Sequence, residues 1–483
     1  MNFVFFFPDE MRAESVSCYG HPLVQMPNFD RLAEEGVRFD QCHVQHTVCT
    51  PSRCSLMTGL YPHVSGHCTL WHLLRPHEPS LFRYLKEAGY HIEWYGKNDL
   101  YSRDYFDGRE GRGVIDRFDD FGNAHAGANA FEPGEAGRFS FLYEPFDGDV
   151  HETGDMRRVE AGIDFLQQRA GDSEPFVLYL PLSLPHPPYA CPQPYHDMYD
   201  PDDIPPLRPA ELPNKPDFHR LIRESRKLEE VSDELFAKIQ AVYLGSNSYV
   251  DWMLGQLLET LDGTGLAEDT MVIVAADHGD WAGDYGLVEK WPSGLDDTLT
   301  RVPLIIRAPG SARGHVVQEP IEFFDIMATV MEAAGLETRH THFARSLVPQ
   351  LQGAPGDPDR AVYAEGGYDP HEPHCFEGRP NARIFEDPNH IYYPKGVQQQ
   401  LAPESVCRAT MMRTLDYKLI RRPLGVSELY DLRRDPRELD NVYDDPDCAE
   451  LRDRMTMQML DWYIHTADTV PVGEDPRGLP HRG

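Results

Sequence analysis

Residues 2–10 read Asn-Phe-Val-Phe-Phe-Phe-Pro-Asp-Glu, an apolar run that ends in two carboxylates. A continuous apolar run of this length is typical of a strand that is buried on both faces, as in a parallel sheet covered by helices. Ligands of such sheets bind beyond the carboxyl ends of the strands. Asp9 and Glu10 stand at that end. This stretch therefore predicts the kind of sheet and the edge at which a functional site lies.

Outward from this stretch, short apolar runs alternate with amphipathic stretches. Further strands are predicted at 37–44, 90–95, 176–182, 271–276 and 302–307. Helices are predicted at 28–35, 52–58, 80–88, 156–169, 233–261 and 321–334. The alternation predicts an α/β fold with a mostly parallel central sheet flanked by helices. Two long loops, 106–154 and 185–217, are expected to shape the active site.

The amino-acid composition of the sequence changes after Gly367. Proline and histidine are frequent from there up to residue 403. Beyond this point we predict strands at 409–419 and 427–432 and a helix at 448–466. We therefore expect a catalytic domain at 1–367 and a smaller C-terminal α+β domain at 368–483. The smaller domain is expected to contain an antiparallel sheet.

The chain is strongly acidic: its 483 residues include 45 Lys and Arg against 79 Asp and Glu, a formal net charge of −34 at pH 7. Such a charge argues against a nucleic-acid partner, because the phosphates would repel it. A site for an anionic substrate must then be a local positive pocket. Lysine is rare, with eight residues in the chain, so a lysine at a strand end is informative.

The first residues lack the basic start and the long apolar core of a signal peptide, and no stretch is long enough for a transmembrane helix. The nine cysteines are not spaced like a disulfide scaffold, and without CxxC pairs they do not predict a zinc site. We therefore expect a cytoplasmic protein that has no membrane partner.

Residues 49–53 read Cys-Thr-Pro-Ser-Arg, and Thr58-Gly59 close the following turn. A lone cysteine before a short helix is more often a small buried hydrophobe than a reactive group. The whole pattern, however, resembles the signature of the sulfatase family. In that family the cysteine is oxidised after translation to formylglycine, an aldehyde whose hydrate attacks a sulfate ester. The resemblance implies a formylglycine at Cys49, a maturation enzyme that makes it, and the fold of alkaline phosphatase relatives.

The same resemblance implies a metal site. In sulfatases an acidic or amide pair after the first strand binds a divalent metal, and here that pair is Asp9 and Glu10. Asp277 and His278, which follow the predicted strand at 271–276, supply the other half, and the modified Cys49 completes it. Oxygen ligands of this kind suit Ca²⁺, with Mg²⁺ as the other candidate.

Three further residues match the family's sulfate-binding positions, each at the end of a strand or close behind the second metal pair. They are Lys97, His186 and Lys290, which the resemblance implies hold the sulfate and serve the leaving oxygen. His186 is the candidate that protonates the departing alcohol. Arg53 would hold the formylglycine and balance the carboxylates of the metal site.

The sequence departs from the family pattern at three positions. Glu10 stands where Asp or Gln is usual, and the sequence leaves open whether its side chain ligates the metal. Asp99 stands two residues after Lys97, where many members have a histidine, and Tyr285 replaces a histidine before Lys290. These departures concern the subfamily rather than the chemistry.

The resemblance therefore predicts an enzyme that hydrolyses a sulfate ester, with a carbohydrate sulfate, small or oligomeric, as the expected substrate. One alternative is a phosphonate or phosphate monoester hydrolase on the same scaffold, because tetrahedral phosphate and sulfate share shape and in-line geometry. Another is a non-catalytic anion-binding protein in which Cys49 stays unmodified. The sequence leaves the sugar, the sulfate position and the oligomeric state open.

Overall fold

The computed structural model describes residues 1–75, 77–101, 114–377 and 386–470. Along these residues the strands are β1 Asn2–Asp9, β2 Val37–His43, β3 His91–Tyr95, β4 Arg117–Asp119, β5 Ala126–Asn129, β6 Tyr143–Pro145, β7 Phe176–Pro185, β8 Thr270–Ala275, β9 Arg301–Val302, β10 Leu304–Arg307, β11 His315–Glu322, β12 Val362–Gly366, β13 Ala409–Arg413, β14 Tyr417–Arg421 and β15 Glu428–Asp431. The helices are α1 Pro27–Glu35, α2 Cys49–Thr58, α3 Pro62–Ser65, α4 Leu81–Glu87, α5 Gly154–Arg169, α6 Asp217–Ser225, α7 Asp233–Thr264, α8 Asp297–Thr300, α9 Asp325–Ala333, α10 Val348–Leu351, α11 Tyr393–Leu401 and α12 Ala449–Thr466.

The strand β1 lies in the interior of the larger sheet, whose order is β11-β2-β10-β8-β1-β7-β3-β4. It pairs in parallel with β7 on one side and with β8 on the other. Its apolar side chains from Phe3 to Phe7 are fully buried, as expected between two covered faces. The sheet is mixed, because β10 runs antiparallel to both β8 and β2, and β9 pairs antiparallel with β2.

Parallel pairing brings distant parts of the chain to one edge of this sheet. β1 ends at Asp9, β3 at Tyr95, β7 at Pro185 and β8 at Ala275. These four strands run in the same direction, so their carboxyl ends lie side by side. Four residues that the sequence analysis selected for function stand within two positions of these strand ends: Glu10, Lys97, His186 and Asp277.

The helices form two groups that cover the sheet. In one group, α7 contacts both α1 and α5. In the other group, α2, α4 and α9 all contact one another. Side-chain caps fix where the long helices begin: Thr153 accepts a hydrogen bond from the amide of Met156, and Ser232 accepts one from the amide of Leu235. This arrangement confirms the predicted α/β class of the central sheet with its flanking helices.

A smaller antiparallel sheet of order β12-β13-β14-β15 follows. Its core includes Leu419, Met459 and Trp462 from the C-terminal part, packed with Tyr61 and Phe324 from the larger part. The predicted C-terminal antiparallel sheet is therefore present. Its first strand, β12, precedes the boundary expected at residue 367, so the sheet begins inside the segment assigned to the larger domain.

Several predicted elements differ from the structure. The predicted helix at 321–334 overlaps the end of a strand, β11, and begins only at Asp325; Glu319 and Pro320 interrupt the apolar pattern of that strand. The predicted single strand at 409–419 is a hairpin of β13 and β14. The predicted loop 106–154 contains β4, β5 and β6, while its residues 106–113 lie outside the described part of the chain.

Within the described ranges, no helix combines the length and the apolar composition that crossing a bilayer requires.

Candidate active site

Cys49 is the first residue of α2, and the sequence prediction had placed this helix start at Ser52. Its sulfur lies 3.1 Å from Nε2 of His278, 3.7 Å from Oδ1 of Asp9 and 3.7 Å from Nζ of Lys97. Burial and the nearby Asp9 raise the pKa of the Cys49 thiol well above its usual range. The unmodified side chain is thus a neutral thiol, which is a poor nucleophile.

Arg53 lies one helical turn after Cys49, so both side chains project from the same face of α2. Its Nη2 donates a hydrogen bond to Oδ2 of Asp9 at 3.0 Å, and its Nε donates to Oδ2 of Asp277 at 2.9 Å. All three side chains are buried. Arg53 therefore links the carboxylates that follow β1 and β8, and it offsets part of their charge.

Four of the five predicted metal ligands lie together. One donor atom each of Asp9, Cys49, Asp277 and His278 lies within 4.8 Å of the other three. His278 donates its Nδ1 proton to the carbonyl of Gly279 at 3.0 Å, which leaves Nε2 free to act as a ligand. Two buried carboxylates and a neutral imidazole fit a divalent cation.

The fifth predicted ligand, Glu10, turns away from this group. Its backbone is in the left-handed region at φ 66°, and its amide donates to Oδ1 of Asp277 at 3.2 Å. Its side chain instead accepts a hydrogen bond from Nζ of Lys290 at 2.7 Å, and the same oxygen lies 3.3 Å from Nε2 of His186. Glu10, Asp9 and His186 form a second group of ligand atoms within 4.8 Å of one another.

Lys97 connects the metal-site carboxylates to the cavity. Its Nζ donates to Oδ2 of Asp9 at 2.7 Å and lies 3.0 Å from Oδ2 of Asp99. Burial would lower the pKa of Lys97, but Asp9 and Asp99 raise it well above its usual range. Asp99, one of the three departures, is therefore an ion-pair partner of Lys97.

Lys290 and His186 form the opposite side of the site. Nδ1 of His186 lies 2.6 Å from the carbonyl oxygen of Pro187, and Nε2 lies 2.8 Å from Nζ of Lys290. A carbonyl can only accept, so the imidazole carries its proton on Nδ1, and Nε2 accepts from the ammonium of Lys290. Burial, followed by Lys290 and Lys97, lowers the pKa of His186 well below its usual range. The proton at this end of the site thus resides on Lys290.

Tyr285, the third departure, lies outside the site. It is buried against Trp281 and His219, and its hydroxyl donates to the carbonyl of Arg437 at 3.1 Å. Tyr285 therefore contributes to the packing around Trp281 and His219.

A cavity of about 230 Å³ reaches Cys49. Of the residues that the sequence marked, its lining includes Cys49, Lys97, Asp99, His186 and Lys290. Sequence reasoning missed the rest of the wall, which includes Trp71, Glu289, Glu377, Tyr392 and Lys395. The scarcity of lysine was the available signal for Lys395, because three of the eight lysines line this one cavity.

The missed residues form a charge-balanced wall. Nζ of Lys395, at the start of α11, lies 2.9 Å from both Oε1 of Glu289 and Oε2 of Glu377. Glu289 also accepts from Arg226 at 2.5 Å. Burial alone would raise the pKa of Glu289, and Lys395 and Arg226 together lower it to about 2. The two cations and two carboxylates of this wall cancel, and on the other side Lys97 and Lys290 line the cavity near Cys49, each paired with carboxylates of its own.

Comparison with known proteins assigns the family. A family model described as Sulfatase matches residues 1–336, and one described as N-sulphoglucosamine sulphohydrolase, C-terminal, matches residues 386–464. The chain is 29% identical over 474 residues to the uncharacterized sulfatase YidJ of Escherichia coli, covering 95% of this chain and 86% of that protein. It is 24% identical over 528 residues to an N-acetylglucosamine-6-O-sulfatase of Bacteroides thetaiotaomicron, covering 95% and 85%.

A solved structure supports the fold independently. The phosphonate monoester hydrolase from Silicibacter pomeroyi matches with a TM-score of 0.75 at 24% identity, covering 97% of this chain and 96% of that one. The first family model spans well over half of this chain, and the predicted resemblance is confirmed. The protein is a sulfuric ester hydrolase that belongs to the sulfatase family.

Proposed function

We propose that this sulfatase hydrolyses a sulfate ester of a carbohydrate and that its nucleophile is a formylglycine made from Cys49. The observation that carries the proposal is the surroundings of Cys49. Its side chain lies at the cavity floor within 3.7 Å of Lys97 and of His278, so a group on this carbon meets both a cation and the metal-binding residues.

A formylglycine at position 49 would supply, as its hydrate, one hydroxyl that attacks sulfur and a second whose deprotonation later expels sulfate. Sulfate is then released by cleavage of a C–O bond, without attack of water on sulfur. Arg53 holds the carboxylates of Asp9 and Asp277 in place beside this position.

The two lysines at the site stabilise charge on the sulfate. Lys97 lies on the side of Asp9, and Lys290 lies on the side of Glu10. Both are buried or nearly so, and in such surroundings a fixed cation stabilises a developing anion more strongly than in water.

The leaving alcohol needs a proton. The sequence analysis assigned that role to His186, but Nε2 of His186 accepts from Lys290. We therefore infer that the Lys290–His186 pair is the proton source, with the transferable proton held on Lys290 in the resting enzyme.

Asp9, Asp277 and His278 would hold the divalent metal that the family implies, together with the modified side chain at position 49. When bound, such a metal would act as a Lewis acid and lower the pKa of the attacking hydroxyl. The oxygen-rich donor set supports Ca²⁺, and Mg²⁺ remains the other candidate.

Two observations support a carbohydrate as the alcohol. The matched C-terminal model and the Bacteroides relative both carry names of sulfatases that act on amino sugars. The cavity wall also places aromatic Trp71 and Tyr392 beside carboxylates and Lys395, a combination suited to a polar ring with hydroxyl groups.

The second candidate function is phosphonate monoester hydrolysis. The structural match to a phosphonate monoester hydrolase over nearly the whole chain favours it, because the two folds are the same. The non-catalytic alternative requires an intact thiol at Cys49.

The decisive experiment is mass spectrometry on protein made in its native host. Trypsin releases the peptide 39–53, which contains Cys42 as well as Cys49. We expect the mass of an aldehyde or its hydrate at position 49 only, with Cys42 unmodified as the internal control. The same preparation is then assayed with matched aryl sulfate and aryl phosphonate esters.

Preferential turnover of the sulfate supports the proposal, and preferential turnover of the phosphonate supports the alternative. The Cys49→Ala variant should lose nearly all activity and stay folded, while Cys42→Ala should keep it. An intact thiol in every molecule, or full activity of Cys49→Ala, would contradict the proposed nucleophile.

A further inference from the structure

The carboxylate of Asp99 lies beside Lys97, on the side of that lysine that faces the cavity. Nζ of Lys97 contacts two carboxylates, at 2.7 Å from Oδ2 of Asp9 and at 3.0 Å from Oδ2 of Asp99. The side chain of Asp9 is fully buried, whereas that of Asp99 is 24% exposed and lines the cavity that reaches Cys49. Asp9 therefore lies behind Lys97, and Asp99 lies on the side from which a substrate enters.

The carboxylate of Asp99 has acceptor capacity that the protein does not use. Its Oδ2 is close enough to Lys97 for an ion pair, but no described residue donates a directed hydrogen bond to this buried oxygen. The ammonium of Lys97 donates instead to Asp9. Because Oδ2 is buried, the exposed part of the carboxylate is Oδ1, which also accepts no hydrogen bond from the described residues. A carboxylate that is partly removed from water favours a ligand that brings a donor.

Only one lysine separates Asp99 from the position of the nucleophile. Nζ of Lys97 is 3.7 Å from Sγ of Cys49 and 3.0 Å from Oδ2 of Asp99. A sulfate group held by Lys97 beside Cys49 would therefore lie close to a carboxylate, and like charges at short range repel each other. A hydroxyl or ammonium group on the carbon next to the ester would donate to Asp99 and offset this repulsion. A second sulfate or a carboxylate at that carbon would increase it.

We propose that Asp99 determines specificity by binding a hydroxyl or amino group next to the sulfate ester, so that the enzyme accepts this kind of sugar sulfate and rejects one with a neighbouring second anion. The inference rests on the proposed function, because it concerns the alcohol of the same sulfate ester. The other lysines of the cavity are consistent with it, since Lys290 and Lys395 are each paired with carboxylates and are not free to bind a second anion.

The test measures binding without turnover, by calorimetry on full-length protein that carries Cys49→Ser and is supplied with Ca²⁺. The ligands share a saturated six-membered ring: cyclohexyl sulfate, and the monosulfates and disulfates of cis- and trans-cyclohexane-1,2-diol. Inorganic sulfate is the reference ligand. The parent is compared with Asp99→Asn, with Asp99→Ala and with Asp116→Asn as the matched control. Asp116 has a similar exposure of 26% and pairs with Lys86, away from the cavity lining.

We expect the parent to bind a diol monosulfate roughly tenfold or more tightly than cyclohexyl sulfate, because a hydrogen bond to a charged acceptor has an effect of that size. The parent should bind the corresponding disulfate roughly tenfold or more weakly than the monosulfate. Asp99→Ala should lose both differences. Asp99→Asn keeps an acceptor oxygen without the charge, so it should retain part of the preference for the hydroxyl and lose most of the discrimination against the disulfate. Asp116→Asn should match the parent.

A role of Asp99 that acts only through the charge of Lys97 gives a different result. Asp99→Ala would then change the affinity for inorganic sulfate and for every ester by the same factor, and this outcome would overturn the proposal. A parent that binds all the esters equally would also overturn it. Asp99→Asn provides the reading if Asp99→Ala does not fold.

The same measurements separate failure of this inference from failure of the proposed function. Esters that bind without any dependence on Asp99 contradict the inference alone. A folded, calcium-supplied protein that binds neither inorganic sulfate nor any of the esters contradicts the proposed function as well.

Discussion

At the scale of single residues, Arg53 stabilises two buried carboxylates whose negative charges would otherwise repel each other. It contacts Asp9 and Asp277, and it is almost fully buried. Removal of one partner of such a network leaves buried charge uncompensated, which costs about 3–5 kcal/mol. We expect Arg53→Met to lose stability of this order without added metal and to recover part of it with Ca²⁺, because the cation replaces the lost positive charge.

Chemical denaturation with and without Ca²⁺ measures both effects. Arg339→Ala removes an ion pair to Glu87 that is largely exposed, and it should change little. A variant at Arg53 with unchanged stability and the same calcium response as the native protein would show that Asp9 and Asp277 do not depend on it.

The ion pairs of Glu289 predict how the free energy of unfolding changes in acid. Burial raises the pKa of Glu289, and Lys395 and Arg226 more than offset this and lower it to about 2 from an ordinary value of 4.5. A lowered carboxyl pKa contributes stability above pH 4.5, and the contribution is lost as the pH falls towards 2. The shift corresponds to roughly 3 kcal/mol at neutral pH.

We expect Glu289→Gln to be destabilised at pH 7, because Lys395 and Arg226 lose a charge partner, and to show a smaller further loss than the native protein between pH 4.5 and 2. Urea unfolding at a series of pH values checks this. Parallel stability curves for the two proteins over that window would contradict the assignment.

The residues of the site divide into those that local sequence could predict and those that it could not. Asp9 ends β1, and Lys97 and Asp277 each stand two residues after the end of a strand, so strand prediction placed them at one edge. The orientation of Glu10 could not be predicted, because it depends on its left-handed backbone and on Lys290, which is 280 positions away. Glu289 and Lys395 likewise meet only through tertiary packing.

At the scale of elements, the end of β3 sets the position of Lys97. Gly96 has φ 142°, and a Cβ there would lie 2.0 Å from the carbonyl oxygen of Pro181 in β7. The amide of Lys97 donates to that same oxygen at 2.9 Å. The close approach of β3 to β7 therefore requires glycine.

We expect Gly96→Ala to push the end of β3 away from β7 and to displace Lys97 from Asp9. The turnover number should fall by roughly a hundredfold, since a shift of about 1 Å at a catalytic group has effects of that size. Steady-state kinetics measures it, and Gly89→Ala is the control for backbone strain alone, because Gly89 precedes the same strand and also has a positive φ, 93°, but has open space around it. Native turnover in a folded Gly96→Ala protein would contradict the prediction.

Strands and helices could be predicted from the sequence where their apolar runs are long, and they were predicted less well where those runs are short. β1 and β8 are buried throughout, and their apolar runs were clear. The direction of β10 could not be predicted, because a buried strand has the same apolar pattern whether its neighbours run parallel or antiparallel. The start of α2 was placed three residues late, and no capping side chain in the sequence signals it, because the cap at Val48 makes no side-chain hydrogen bond.

At the scale of the whole molecule, the acidic chain concentrates its rare lysines at one place. The net charge is −34, yet Lys97, Lys290 and Lys395 all line the cavity that reaches Cys49. The pocket that composition predicts to be locally positive thus contains three lysines, and each of them is paired with carboxylates. Lys395 belongs to the chain beyond residue 386, so the C-terminal part completes the cavity.

This division predicts separate roles in catalysis and in selection of the alcohol. Lys97 and Lys290 lie near Cys49, whereas Lys395 lies on the charge-balanced wall with Glu289 and Glu377. We expect Lys395→Ala to raise KM for a sulfated oligosaccharide by roughly tenfold or more, because a charge-assisted hydrogen bond contributes about 1.5–3 kcal/mol. The turnover number should change little.

A small aryl sulfate provides the comparison, because its ring does not need to reach this wall. Its KM should be nearly the same in the native protein and in Lys395→Ala, and Lys395→Arg should restore binding of the oligosaccharide, since the positive charge is retained. Equal losses for both substrates would mean that Lys395 acts on the sulfate itself or on the stability of the cavity. The alcohol would then be selected by other residues of the wall, and Trp71 and Tyr392 would be the next to substitute.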